Sequence, residues 1–180
     1  MKISLIEYPS EAEWKEVKRR ALITQYGKGI YALKNECQIE PPKWEWRKRI
    51  LNARHSPIRY LRFAFQLEDV PGNVATHLAR HVHAQPYISS LRNDRQNAMD
   101  GDTAPRNTPV NMILDVNAEE LMTIANKRLC KKAAKMTREV VTEMCKLAEK
   151  AMPELEGYLV PMCQYHGGEC KEMHPCFEEK

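Results

Sequence analysis

Residues 70–93 read Val-Pro-Gly-Asn-Val-Ala-Thr-His-Leu-Ala-Arg-His-Val-His-Ala-Gln-Pro-Tyr-Ile-Ser-Ser-Leu-Arg-Asn. Pro71-Gly72 predicts a turn, and Asn73 stands where it can cap a helix over Val74 to His83. Pro86 breaks that helix, and Tyr87 to Leu91 reads as extended chain. The stretch carries His77, Arg80, His81, His83 and Arg92 and no acid at all. On a helix, Val74, Ala75, Leu78 and Val82 share one face, which is expected to be buried. His77, Arg80 and His81 fall at i, i+3 and i+4 on another. Cations so spaced repel by roughly a few tenths of a kcal/mol, and no neighbouring acid relieves them. A bound anion would relieve them; a plainly solvated basic face is the alternative. Ser90 and Arg92 lie two residues apart on extended chain and point to the same side, a hydroxyl beside a guanidinium fork.

Upstream, Lys2 to Tyr8 alternates apolar and polar residues and predicts a strand. Ser10 can cap a helix to Gln25, with Glu11 and Glu13 near its positive end and Trp14, Val17 and Ala21 as its buried stripe. Gly27 and Gly29 are expected to end it. A basic helix over Trp44 to Ala53 follows Pro41-Pro42, then a strand over Arg59 to Leu67. Downstream, Asn93 to Asn107 is polar and turn-rich, a loop. Pro109 to Val116 is the next strand, and helices are expected over Ala118 to Leu129 and Ala133 to Ala151. Residues 160–180 form an irregular tail rich in Cys and His. Strands and helices mix without a regular βαβ rhythm, so the fold class is α+β, and 180 residues make one domain.

The composition, 43% hydrophobic and 29% charged, is that of a globular domain. No apolar run reaches the roughly 18 residues that span a bilayer. The N-terminal residues lack the apolar stretch of a signal peptide, so a cytoplasmic location is expected. In that compartment the six cysteines read as reduced thiols or ligands rather than disulfides. A net charge of +4 permits an anionic ligand without requiring nucleic acid.

Three further features are informative. Arg128 lies seven residues past Leu121, on the apolar face marked by Leu121, Ile124 and Ala125. An inward guanidinium needs a partner, either a structural acid or a polar ligand. Cys163, His166, Cys170, His174 and Cys176 can be set against zinc sites, but their spacings fit no standard knuckle, and no metal is assigned. The basic segment Lys43 to Arg62, with Trp44 and Trp46, would suit nucleic acid; core tryptophans are the alternative, and nucleic acid is not expected.

Together these pieces resemble a family. Arg80-His81-Val82, seven residues, then Ser90 is similar to the Arg-His-Arg, seven residues, Ser pattern of the flavin-dependent thymidylate synthases. Ser90-Leu91-Arg92 looks like that family's Ser-Gly-Arg, and Ser56-Pro57 with Phe63-Ala64-Phe65 resembles its Thr-Pro and following strand. Asn117-Ala118, then Leu121-Met122 and Arg128, resembles its Asn-Ala-Arg-Ser-Leu-Met helix with the arginine beyond. The resemblance spans Ser56 to Arg138. It implies an antiparallel or mixed sheet with long helices, and a homotetramer with sites shared between subunits. The implied reaction is reductive methylation of dUMP by methylene-tetrahydrofolate, with FAD as cofactor and NADPH as reductant. On the substrate side it implies His77, Arg80, Ser90, Leu91, Arg92, Arg106 and Arg128, with Arg128 and Ser90 as catalytic candidates. On the flavin side it implies Ser56, Arg59, Arg80, His81, Val82, Asn117, Glu119 and Thr123. The departures are Val82 for a third basic residue, Arg59 for a Glu, Ile88 for a Glu, Glu119 for an Arg and Thr123 for an Asn. A related enzyme making another C5 modification, such as hydroxymethylation, is the alternative.

Overall fold

A computed structural model describes residues 1–26, 39–92, 94 and 100–176. Its centre is a four-stranded antiparallel sheet formed by β1 (Lys2–Glu7), β2 (Arg62–Pro71), β3 (Gln85–Ile88) and β4 (Pro109–Asn117), in the order β1-β2-β4-β3. Period-two patterning sets the register. Phe63, Phe65 and Leu67 of β2, with Val110, Met112, Leu114 and Val116 of β4, turn inward and are buried. Phe63 stands opposite Val116 and Phe65 opposite Leu114. On the outer side Ile113 pairs with Gln66 and Tyr87.

The helices that complete the core are α1 (Glu11–Tyr26), α2 (Trp44–Asn52), α3 (Gly72–Ala79), α4 (Ala118–Arg128), α5 (Lys135–Ala151) and the single turn α6 (Met162–Tyr165). Trp14, Val17 and Ala21 are buried as the spacing predicts. Ser10 Oγ accepts from the Ala12 N–H at 3.2 Å, and Glu13 reaches back to the Ser10 N–H at 2.9 Å, a reciprocal cap. The expected stops at Gly27 and Gly29 lie outside the described residues. Arg47 ties three elements: its Nε donates to the Pro42 carbonyl at 2.7 Å, and its Nη groups pair with Glu11 and with the buried Glu154 at 2.7 Å.

Three sequence expectations need correction. The strand expected from Arg59 begins at Arg62, because Pro57 starts a 3₁₀ turn over Ser56–Tyr60. That strand runs on to Pro71 through a bulge after Leu67, where Asp69 takes φ 53° and its N–H is held by Asn111 Oδ1 at 3.0 Å. Helix α3 starts at Gly72 rather than Val74, so Asn73 lies inside its first turn and caps nothing; its buried Oδ1 has no partner among the described residues. Gly72 permits this start, since a Cβ there would lie 2.8 Å from the Arg106 carbonyl oxygen. The helix also ends early, at Ala79 rather than His83. Val82 therefore leaves the buried face and is 85% exposed.

Tryptophan burial is divided: Trp14 is buried, Trp46 packs against the core, and Trp44 is half exposed beside Lys48. Among the described residues no helix is long and apolar enough to cross a membrane. Nor is there a group of three His, Cys, Asp or Glu side chains that could hold a metal.

Candidate active site

The end of α3 is set by a side chain from α4. Arg128 Nη2 donates to the His77 carbonyl at 2.8 Å, the acceptor that the His81 N–H would need to continue the helix. The His81 N–H bonds instead to the Leu78 carbonyl at 3.1 Å, closing a tighter turn. A cation at a helix C-terminus is favourable in its own right. Arg128 Nε–H also donates to His81 Nε2 at 3.1 Å, and His81 Nδ1 meets Glu120 Oε1 at 3.0 Å. The His81 and Glu120 side chains are 8% and 7% exposed.

These contacts fix a protonation pattern. An arginine Nε–H can only donate, so His81 Nε2 must present its lone pair, and the single ring proton sits on Nδ1 facing Glu120. Burial, and then the Arg128 charge, push the His81 pKa down, with Glu120 opposing them. On α3, His77 Nδ1 is hydrogen-bonded to the buried Thr137 hydroxyl of α5 at 2.8 Å. Its pKa is also lowered, first by burial and then by Arg128, Arg80 and Arg106. Arg128 itself is lowered by burial and by Arg80. Arg80, Arg106 and Arg128 thus share one field, and among the described residues no carboxylate forms an ion pair with any of them. Glu120 is bonded to His81. Two neutral histidines among three cations make an anion-ready surface.

Ser90, Leu91 and Arg92 follow β3 and line an open groove of about 650 Å³ with Asp94, Gly101 and Asp102. Arg92 N–H donates to Ser90 Oγ at 3.2 Å, and the guanidinium forms a two-pronged pair with Asp94 at 3.0 and 3.1 Å. The fork expected to face a ligand is thus engaged by a carboxylate two residues on. Of the loop over Asn93 to Asn107, residues 93 and 95–99 lie outside the described residues.

The flavin-side set is partly gathered. Arg59 and Glu119 bond to each other, and Thr123 Oγ1 donates to the Glu119 carbonyl at 2.9 Å. Asn117 Oδ1 caps α4 by accepting from the Glu120 N–H at 2.9 Å. Ser56, Arg59, Arg80 and Val82 are exposed, and His81 is buried behind Arg128. Among the described residues Arg80 has no ion-pair partner, and Val82 two residues on exposes an apolar side chain. Arg59 and Glu119 neutralise each other and add no net charge there.

Sequence reasoning missed Glu120 and Thr137. Glu120 had one signal, its place four residues before the buried Ile124 on the apolar side of α4. Thr137 had none, since a buried threonine in a helix is ordinary.

The antiparallel sheet and its flanking helices make an α+β domain. The family model described as thymidylate synthase complementing protein matches residues 103–154. A flavin-dependent thymidylate synthase from Helicobacter pylori, solved with FAD and dUMP, superposes with TM-score 0.66 at 13% identity, covering 89% of this chain and 100% of that one. A second Helicobacter pylori structure with FAD and dUMP gives 0.61 at 15%, covering 91% and 99%. A UMP/dUMP methylase from Streptomyces cacaoi, bound to 5-bromo-dUMP, gives 0.61 at 15%, covering 85% and 92%. No curated protein sequence matches the chain. The resemblance read from the sequence is therefore borne out for the fold.

Proposed function

We propose that the chain is a cytoplasmic flavin-dependent thymidylate synthase, methylating dUMP at C5. The observation that carries this reading is the trio Arg80, Arg106 and Arg128 around neutral His77, unpaired with any carboxylate among the described residues, on a fold whose solved examples include proteins bound to dUMP. Arg128 uses two N–H groups on His77 and His81 and keeps the rest of its fork for a ligand. Facing the uracil edge, it stabilises the negative charge that develops as C5 becomes nucleophilic, worth about 3 kcal/mol for one well-placed donor. Arg80, Ser90 and Arg92 hold the nucleotide, Leu91 flanks it, and Arg106 adds charge beside His77. Arg92 must exchange Asp94 for the phosphate.

FAD is assigned to the exposed residues Arg80, Val82 and Ser56 and the Arg59–Glu119 pair, and when reduced it would supply the hydride. Methylene-tetrahydrofolate supplies the carbon and NADPH the reducing power. The family resemblance implies a homotetramer, in which a neighbouring subunit would complete the site.

A second reading, another C5 modification of the same nucleotide, is favoured by one observation: the arginine trio is present while the third basic residue of the signature is the exposed Val82. Product analysis distinguishes them. Incubation with dUMP, methylene-tetrahydrofolate, NADPH and FAD, followed by mass spectrometry, yields dTMP on the first reading and a heavier C5 product on the second. Recovery of unchanged dUMP contradicts both.

A further inference from the structure

We infer that Glu120 is a positioning residue for Arg128, acting through the tautomer of His81. This rests on the proposed reading of Arg128 as the group at the nucleobase. The chain of contacts runs Glu120 Oε1 to His81 Nδ1 at 3.0 Å, then His81 Nε2 to Arg128 Nε at 3.1 Å. A neutral imidazole has one proton for two nitrogens. With the proton on Nδ1, Glu120 accepts it and Nε2 accepts from Arg128. With the proton on Nε2, two N–H groups would face each other across 3.1 Å, and Arg128 would turn away. An imidazolium creates the same clash. Glu120 therefore selects the only ring state that leaves Arg128 an acceptor.

The placement of Glu120 supports this role. A carboxylate 7% exposed is costly to bury unless it is bonded. It lies in the first turn of α4, where the helix N-terminus favours negative charge, and the Asn117 cap holds its own N–H. Arg128 sits at the other end of the same helix. His81, from the turn after α3, is thus clamped between two residues of α4, and the guanidinium is fixed at Nε by the ring and at Nη2 by the His77 carbonyl. Two fixed donors on a planar group set the direction of the remaining ones.

The test reads the tautomer directly. Long-range proton–nitrogen spectra of the ¹⁵N-labelled protein, with His81 assigned by its loss in His81→Gln, are expected to show a protonated Nδ1 and an unprotonated Nε2 at neutral pH. Glu120→Gln, whose amide oxygen still accepts, keeps that pattern; Glu120→Met reverses it. Affinity for dUMP falls about tenfold in Glu120→Met, and Glu120→Gln recovers most of the loss. An Nε2-protonated or doubly protonated His81 in the wild type overturns the proposal, even where Glu120→Met fails to fold. So does a reversed tautomer with unchanged dUMP affinity. Wild-type protein that binds no dUMP overturns the proposed function and, with it, this role toward the ligand. That failure is distinguishable, because the spectra are recorded without nucleotide.

Discussion

Arg128 and His77 are joined through the backbone: the guanidinium takes the α3 carbonyl at 2.8 Å and stops that helix. The same arginine is the residue proposed to face the uracil, so structure and chemistry make separable demands on it. Lysine at this position keeps the charge and loses the fork. Arg128→Lys is expected to lower the melting temperature by about 2–4 °C, as for loss of one hydrogen bond of roughly 1 kcal/mol. Turnover is expected to fall by about 100-fold, a loss of roughly 2.7 kcal/mol of transition-state stabilisation. Melting and turnover measured on one preparation separate the two effects, and unchanged turnover removes Arg128 from the chemistry.

Histidine burial gives the fold a pH dependence of definite sign. His77 and His81 have folded pKa values below their ordinary 6.5. Below pH 6.5 the unfolded chain takes up protons that the folded chain refuses, so stability is full above 6.5 and falls as the pH drops beneath it. Glu11 and Glu13, held low by Arg47 and by Ser10 respectively, add a further loss only below about pH 4.5. Glu149, raised by burial, acts in the opposite sense above its ordinary value of 4.5. Urea midpoints between pH 5 and 8 are therefore compared with those of His81→Gln, whose profile is expected to be flatter between pH 5 and 6.5. Parallel profiles would remove His81 as a buried neutral ring.

Arg47 is the fold's own buried cation, bonded to Glu11, Glu154 and the Pro42 carbonyl over the Trp14 ring. Arg47→Met leaves Glu154, whose side chain is 7% exposed, without its counter-ion. Breaking such a pair costs roughly 3–5 kcal/mol. Denaturant unfolding of Arg47→Met and of the double variant Arg47→Met with Glu154→Leu checks this. The double variant is expected to recover stability, and a single variant as stable as wild type would contradict the account.

The parts of the structure that were legible in the sequence are those determined by near neighbours. Strand β1 is legible by its alternation, α1 by Ser10 at its start and its Trp14, Val17 and Ala21 stripe, and the inward aim of Arg128 by its place on the α4 stripe. What escaped was decided at long range. The sequence predicts α3 through to His83, since nothing between residues 70 and 93 says that an arginine 51 residues past His77 bonds its carbonyl. With the helix ended at Ala79, Val82 lies at the surface rather than in the core. The basic face on α3 lacked an acid in sequence, yet Glu120 arrives at His81 from another helix. Arg59 and Glu119, two separate departures from the family pattern, bond to each other. The two opposite charges meet across 60 residues, which no reading of either position alone reveals.

The central claim is that the Arg80, Arg106 and Arg128 field is a deoxyuridylate site. Calorimetric titration of the protein with dUMP and with deoxyuridine tests it most directly, because the two ligands differ only in the phosphate. Charge-assisted contacts to that group are worth about 1.5–3 kcal/mol each, so dUMP is expected to bind at least about tenfold more tightly. Arg80→Ala and Arg92→Ala should each reduce that difference while leaving deoxyuridine affinity in place. Equal affinity for the two ligands in the wild type would contradict the account.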